Sequence, residues 1–184
     1  MAASWLQSRE TARQTEVLEA QLGAQVWPYV SESINLDDAG KTAALDIEND
    51  GLGPAVLYSL SATVDGKQQS NYIEVLHAIL GTHLVKRKPA HEHMGLQVNN
   101  SSVGSVLRPG ESLSLFRFSS KHFAMPFVYA YQRIQMSVCY CAIIAGKCWR
   151  NDANRDNPPE PVAACPVIPN DILHSSMLPT AGML

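Results

Sequence analysis

Residues 42–66 read TAALDIENDGLGPAVLYSLSATVDG, and this stretch decides the fold class. Apolar and polar side chains alternate on both sides of a glycine-rich turn, which is typical of strands that bury one face. Asp65-Gly66 ends the stretch with a dipeptide that favours a tight hairpin turn. The residues after Trp27-Pro28 alternate in the same way, so the whole region predicts a β-meander.

The turn between the two alternating runs is the strongest local structural signal in the chain. Asn49 can bond to backbone two residues further on, and Gly51 and Gly53 can adopt positive φ angles. Pro54 fixes the start of the next strand. We therefore predict a structural corner at Asn49, Gly51, Gly53 and Pro54. It is not a phosphate-binding loop, because no Gly-Lys-Ser/Thr ending and no helix follow it.

The remaining strands are short, and the chain lacks a βαβ rhythm. This pattern predicts a mainly β fold, an antiparallel immunoglobulin-like β-sandwich with an N-terminal helix and one or two short helical insertions. An open barrel is the alternative. We expect a helix over residues 1–25, the sandwich over residues 26–165, and an extended, poorly ordered tail over residues 166–184.

The N-terminal segment predicts a helix that projects from the domain. Ser4 and Gln7 form a capping box, and the following residues are polar on nearly every side. Leu18 and Leu22 lie four residues apart on one face, which predicts at most a weak homo-oligomer through this helix.

Composition excludes several function classes. The formal net charge is -3, and no basic patch with interleaved aromatic residues is present, so we expect no nucleic-acid partner. The sequence contains neither an apolar run of about 18 residues nor a signal peptide. Nothing in it points to a cofactor.

All four cysteines lie within one short region, Cys139, Cys141, Cys148 and Cys165. Cys139 and Cys141 are expected on one face of a strand, where a bond between them would be strained. A Cys141–Cys148 bond across a hairpin and a Cys139–Cys165 bond to the returning chain fit this geometry, although four cysteines permit three pairings. Four reduced thiols, a zinc site and a reactive thiol are the alternatives.

A second cluster of candidate ligands lies in the region from His77 to His93. His83, His91, Glu92 and His93 are the weak candidates for a metal site, because alternate imidazoles on an extended segment point to one side. This region would carry the alternative function, a metal-binding or metal-dependent enzyme. Exposed loop histidines are the simpler explanation.

Four motifs together resemble a set of uncharacterised bacterial membrane-anchored envelope proteins. The motifs are Trp27-Pro28-Tyr29, Asn49-Asp50-Gly51-Leu52-Gly53-Pro54-Ala55, Asp65-Gly66-Lys67, and Val138-Cys139-Tyr140-Cys141 with Cys148-Trp149. The resemblance extends from Val17 to about Cys165. Two departures are the absence of the family's N-terminal membrane helix and the apolar segment from Ala142 to Lys147, where a polar loop is expected.

The resemblance implies a periplasmic domain that is anchored in the inner membrane through a segment preceding this sequence. It carries no known activity, so no catalytic residue is assigned. The expected function is a non-catalytic binding or scaffolding domain, and the expected partner is an envelope protein of unknown identity.

Overall fold

The structure is a computed structural model that describes residues 2–37, 39–86, 95–98, 103–144, 146–152, 158–168 and 171–174. Over these residues the protein is mainly β, with two antiparallel sheets and three helices, as predicted. Two 3₁₀ turns, at Tyr131–Arg133 and Ile172–His174, complete the regular structure. The elements in chain order are α1 (Ala2–Gln25), β1 (Val30–Leu36), β2 (Ala43–Asn49), β3 (Ala55–Val64), β4 (Lys67–Gln69), α2 (Tyr72–Lys86), β5 (Gln97–Val98), β6 (Val106–Leu107), β7 (Ser112–Phe118), α3 (Lys121–Ala130), β8 (Ile134–Ala142), β9 (Cys148–Asp152) and β10 (Glu160–Val162).

The strands form two sheets that share one hydrophobic core. The first sheet has the order β1-β2-β7-β5, and the second has the order β10-β9-β8-β3-β4, with β6 also paired to β3. Leu45 and Ile47 of β2 and Leu57 and Leu60 of β3 are at most 1% exposed and belong to the same buried cluster. The alternation therefore identified the core-facing residues of β2 and of the second half of β3. In the first half of β3 it was wrong, because a bulge between Leu57 and Ser59 shifts the strand and leaves Tyr58 44% exposed.

The predicted β-meander is wrong, because β2 and β3 are not partners. Strand β2 pairs with β1 and β7, whereas β3 pairs with β8, β4 and β6. The turn between them carries the chain from one sheet to the other. Alternation reports which face of a strand is buried, but it does not report which strand lies beside it.

Local contacts and backbone angles define the β3–β4 turn and the start of α2. The β3–β4 hairpin is confirmed, and Asp65 and Gly66 have φ angles of +50° and +75°, as such a turn requires. Helix α2 begins with a reciprocal cap, since Glu74 N donates to Asn71 Oδ1 and Ser70 N donates to Glu74 Oε2. Gly81, with a φ angle of +74°, interrupts this helix.

The chain after Cys165 differs from the predicted extended tail at one place. Ile172 and Leu173 are 2% and 5% exposed and belong to the hydrophobic core. Asp171 fixes this turn, because its Oδ1 atom accepts hydrogen bonds from Leu60 N at 3.0 Å and from Leu173 N at 2.9 Å. Two adjacent apolar residues were too short a signal to predict this contact. Residues 169–170 and 175–184 lie outside the described residues.

Candidate functional site

The predicted corner is built around the side chain of Asn49, which is fully buried. Its Nδ2 atom donates to Gly53 O at 2.9 Å and to Leu107 O at 3.0 Å. Its Oδ1 atom accepts from Tyr29 N at 3.2 Å and from Gly51 N at 3.1 Å. One amide therefore joins three separate chain segments, and its hydrogen-bonding groups are all engaged.

Gly51 and Gly53 are required for space and not for a special backbone angle. A Cβ atom at Gly53 would lie 1.8 Å from Val26 O, and one at Gly51 would lie 2.2 Å from Tyr29 N. The expectation of positive φ at these two glycines was wrong, because neither is among the glycines with positive φ. Close approach of two backbone segments is the other common reason for glycine. Pro54 is half-buried and directly precedes β3.

Aromatic side chains extend the corner toward β8 and β9. Trp149 stacks on Tyr140 with ring centroids 6.0 Å apart, and Trp27 lies 6.2 Å from Trp149. Tyr140 is completely buried, and this burial raises its pKa to about 12. The Trp-Pro-Tyr motif, the Gly-rich turn and the Cys-Trp motif thus meet in one place. We call this set of residues, 26–29, 49–55, 140 and 149, the corner.

The four cysteines lie on the other face of the strands that carry the corner. Cys139 and Cys141 alternate with Tyr140 along β8, so their side chains point away from the core. The structure contains two disulfides, Cys141–Cys148 and Cys139–Cys165. These are the pairs that strand geometry favoured. The Cys141 Sγ and Cys165 Sγ atoms, which belong to different disulfides, are only 3.8 Å apart.

The histidine hypothesis is not tested by the structure. His77 is half-buried in α2, while His91, Glu92, His93 and the side chain of His83 lie outside the described residues. Among the residues that the structure describes, potential metal-ligand atoms cluster at Cys141, Cys148 and Cys165. All three of those sulfur atoms are already in disulfides.

A small cavity lies between the sheets near the edge strand β1. It is lined by Glu32 together with Ile47, Leu60 and Met136, and the Tyr131 hydroxyl donates to Glu32 Oε1 at 3.3 Å. Its volume of about 20 Å³ holds little more than one water molecule, whereas sites for small molecules occupy roughly 300 Å³ or more. The cavity is too small for a substrate.

Sequence reasoning missed two buried carboxylates. Asp46 is 5% exposed on β2 and accepts hydrogen bonds from Ser114 and from Asn35 Nδ2, and Asp171 was assigned to the tail. An acidic residue on the polar side of an alternating strand is expected to be exposed. Only the arrangement of the neighbouring strands shows that it is covered.

Comparison of the chain with protein families, curated proteins and solved structures finds no match. No helix among the described residues is both long and apolar enough to cross a membrane. The features that bear on function are therefore the corner, the disulfides and the exposed surface.

Proposed function

We propose that this chain is a non-catalytic, periplasmic binding or scaffolding domain with an immunoglobulin-like β-sandwich. In the full-length protein it would be tethered to the inner membrane by a preceding segment and would bind an envelope protein. The two disulfides are the observation that supports a periplasmic location, because structural disulfides persist in oxidising surroundings. The shared core of the two sheets supports the sandwich.

The use made of the motif residues supports a non-catalytic role. The Asn49 side chain bonds only to backbone groups. Gly51 and Gly53 allow the close approach of residues 26–29. Tyr140 faces the core, and burial raises the pKa of its hydroxyl from 10.0 to about 12, further from neutral pH. The residues that carry the resemblance to envelope proteins therefore serve the architecture of the domain.

Helix α1 supports the tether. Its described side chains over residues 8–21 are exposed, including Val17 at 51% and Leu18 at 59%. A helix of 24 residues is about 36 Å long, which is enough to hold the sheets away from a membrane surface. Weak self-association through Leu18 and Leu22 belongs to the same proposal.

An apolar surface at one end of the second sheet is the best candidate for partner contact. Ile143 and Ile144, in the turn after β8, are 54% and 68% exposed, and Leu52 in the corner is 74% exposed. Ala142 directly precedes the turn that carries Ile143 and Ile144, and Ala55 follows the turn that carries Leu52. These two alanines are paired across β8 and β3. Exposed apolar side chains that gather at one end are typical of interaction surfaces.

Fractionation of cells that express the full-length gene tests the compartment and the tether. We expect the protein to sediment with membranes and to be digested by protease only after the outer membrane is opened. Its cysteines should resist alkylation until they are reduced. A soluble protein with four reactive thiols would contradict the proposal.

A photo-cross-linking amino acid at position 144 tests the partner surface in the same cells. Tyr129 is the matched control, because it is 77% exposed but lies in α3, next to the opposite end of β8. We expect a cross-linked envelope protein from position 144 and none from position 129. The same product from both positions, or no product from either, would contradict a binding role for this end.

A further inference from the structure

The two disulfides form one compact cluster of sulfur atoms. The Sγ atoms of Cys141, Cys148 and Cys165 lie within 4.8 Å of one another, and Cys139 is bonded to Cys165. Between the two disulfides, Cys141 Sγ and Cys165 Sγ are 3.8 Å apart. A thiolate at either of these positions would therefore already touch the sulfur atom that it must attack.

We propose that the cluster is a thiol–disulfide exchange site in which Cys141 and Cys165 form an alternative, crossed disulfide after partial reduction. The co-reactant is a dithiol, either a small molecule or the dithiol of an oxidoreductase. The two native disulfides are thus chemically coupled. Loss of one of them redistributes the remaining bond within the cluster.

One route begins at the Cys141–Cys148 disulfide. The dithiol is oxidised to its own disulfide, and its two electrons and two protons leave thiols on Cys141 and Cys148. Cys141 then loses its proton, and its thiolate attacks Cys165 Sγ. The Cys141–Cys165 bond forms, the Cys139–Cys165 bond breaks, and Cys139 leaves as a thiolate that takes up a proton.

The other route begins at the Cys139–Cys165 disulfide and reaches the same product. Here the dithiol leaves thiols on Cys139 and Cys165, and the Cys165 thiolate attacks Cys141 Sγ. The Cys141–Cys148 bond breaks, and Cys148 leaves as a thiolate that takes up a proton. Both two-electron reductions therefore converge on one species, which has a Cys141–Cys165 bond and free thiols at Cys139 and Cys148.

Burial favours this internal step over a second attack from outside. Cys139, Cys141 and Cys148 are 2%, 9% and 8% exposed, and Cys165 is half-buried. External attack on these sulfur atoms is slow, for the first reduction as well as for a second one, whereas the internal thiolate is in contact with its target as soon as it has formed. The crossed bond keeps position 165 attached to β8, two residues or about 7 Å further along the strand. The returning chain, with Ile172 and Leu173 in the core, thus stays tethered after either disulfide is lost.

Two single variants test the proposal. Cys148→Ser leaves Cys141 as a thiol beside the intact Cys139–Cys165 bond, while the control variant Cys141→Ser leaves Cys148 as the thiol. Each protein is incubated at mildly alkaline pH with a trace of dithiothreitol, trapped by alkylation at low pH, and mapped by mass spectrometry without reduction. We expect the Cys141–Cys165 peptide as a main species of Cys148→Ser. In the control, whose Cys148 Sγ lies within 4.8 Å of Cys165 Sγ, we expect the native Cys139–Cys165 peptide to remain the main species.

Retention of Cys139–Cys165 alone in Cys148→Ser, with Cys141 fully alkylated, would overturn the proposal. Limited reduction of the unmodified protein provides a second test that does not depend on variant folding. Its two-electron species should contain the crossed bond with alkylated Cys139 and Cys148. A partially reduced protein in which every remaining bond is a native one would be equally decisive against the exchange site. Neither test depends on the proposed compartment or partner.

Discussion

The corner and helix α1 are joined at residue 26, yet they are organised in opposite ways. In the corner, backbone and side-chain groups bond across chain segments, as in the Asp50 N to Tyr29 O and Leu52 N to Trp27 O bonds of 2.8 and 2.9 Å. In α1 the described side chains over residues 8–21 are exposed, and a typical bond is local, from Thr15 Oγ1 to Thr11 O. A cluster of motif residues can therefore mark a place where separate chain segments cross and bond to one another.

Removal of the longer disulfide, Cys139–Cys165, should cause the largest loss of unfolding free energy. Cys139→Ala combined with Cys165→Ala opens a loop of 26 residues, and we expect about 3.5 kcal/mol less unfolding free energy. Chemical denaturation measures this loss. Mass spectrometry should also find the unreduced parent protein lighter than the reduced one by four hydrogens, two for each disulfide. Full stability in the double variant would show that the bond does not constrain the unfolded chain.

Asn49→Ala should destabilise the protein by about 3 kcal/mol, because it leaves two buried and two half-buried backbone groups without their partner. Asn71→Ala is the control, since Asn71 only caps α2 and its removal should cost about 1 kcal/mol. Urea denaturation compares the two variants. Equal losses would mean that the Asn49 amide does not hold the three segments together.

A pair of glycine substitutions compares the corner and the helix directly. Gly53→Ala places a methyl group against Val26 O and should cost about 2 kcal/mol. Gly23→Ala in α1 adds the same methyl group where no atom lies within 4 Å, and it should be neutral or slightly stabilising because alanine favours helix. Thermal denaturation of both variants is the measurement. An unchanged melting temperature of Gly53→Ala would show that the corner can accommodate the added methyl group without loss of stability.

Alkaline pH should weaken the corner through Tyr140. The pKa of this hydroxyl is raised from 10.0 to about 12 in the folded protein, so the unfolded chain loses its proton first. The contribution of Tyr140 to the unfolding free energy is therefore fully present below pH 10, and it declines by about 1.4 kcal/mol for each pH unit toward pH 12. Tyr140→Phe should remove this part of the decline. Parallel pH profiles for the variant and the parent would contradict the assigned burial effect.

The sequence predicts features whose partners are close in the chain. The Asp65-Gly66 turn and the apolar positions of β2 depend on neighbouring residues. The disulfides follow from a hairpin and a shared strand face. These signals also define the mainly β class.

Features that depend on distant partners were not predictable. Asn49 reaches Leu107, 58 residues away, and the Leu60 N–H bonds to Asp171, 111 residues away. Alternation alone carries no information about such partners, so the chain passes between sheets where a meander was expected.

Deletion of residues 1–15 tests most directly whether α1 and the two sheets have separate roles. The described side chains that this deletion removes are exposed, so few buried contacts are lost. The unfolding free energy, measured by urea denaturation, should change by less than about 0.5 kcal/mol, as for other surface changes. Self-association, measured by analytical ultracentrifugation, is where any change should occur. Loss of the cooperative unfolding transition would show that α1 packs on the sheets as part of their core, and it would contradict the proposal that α1 projects from the domain as part of the tether.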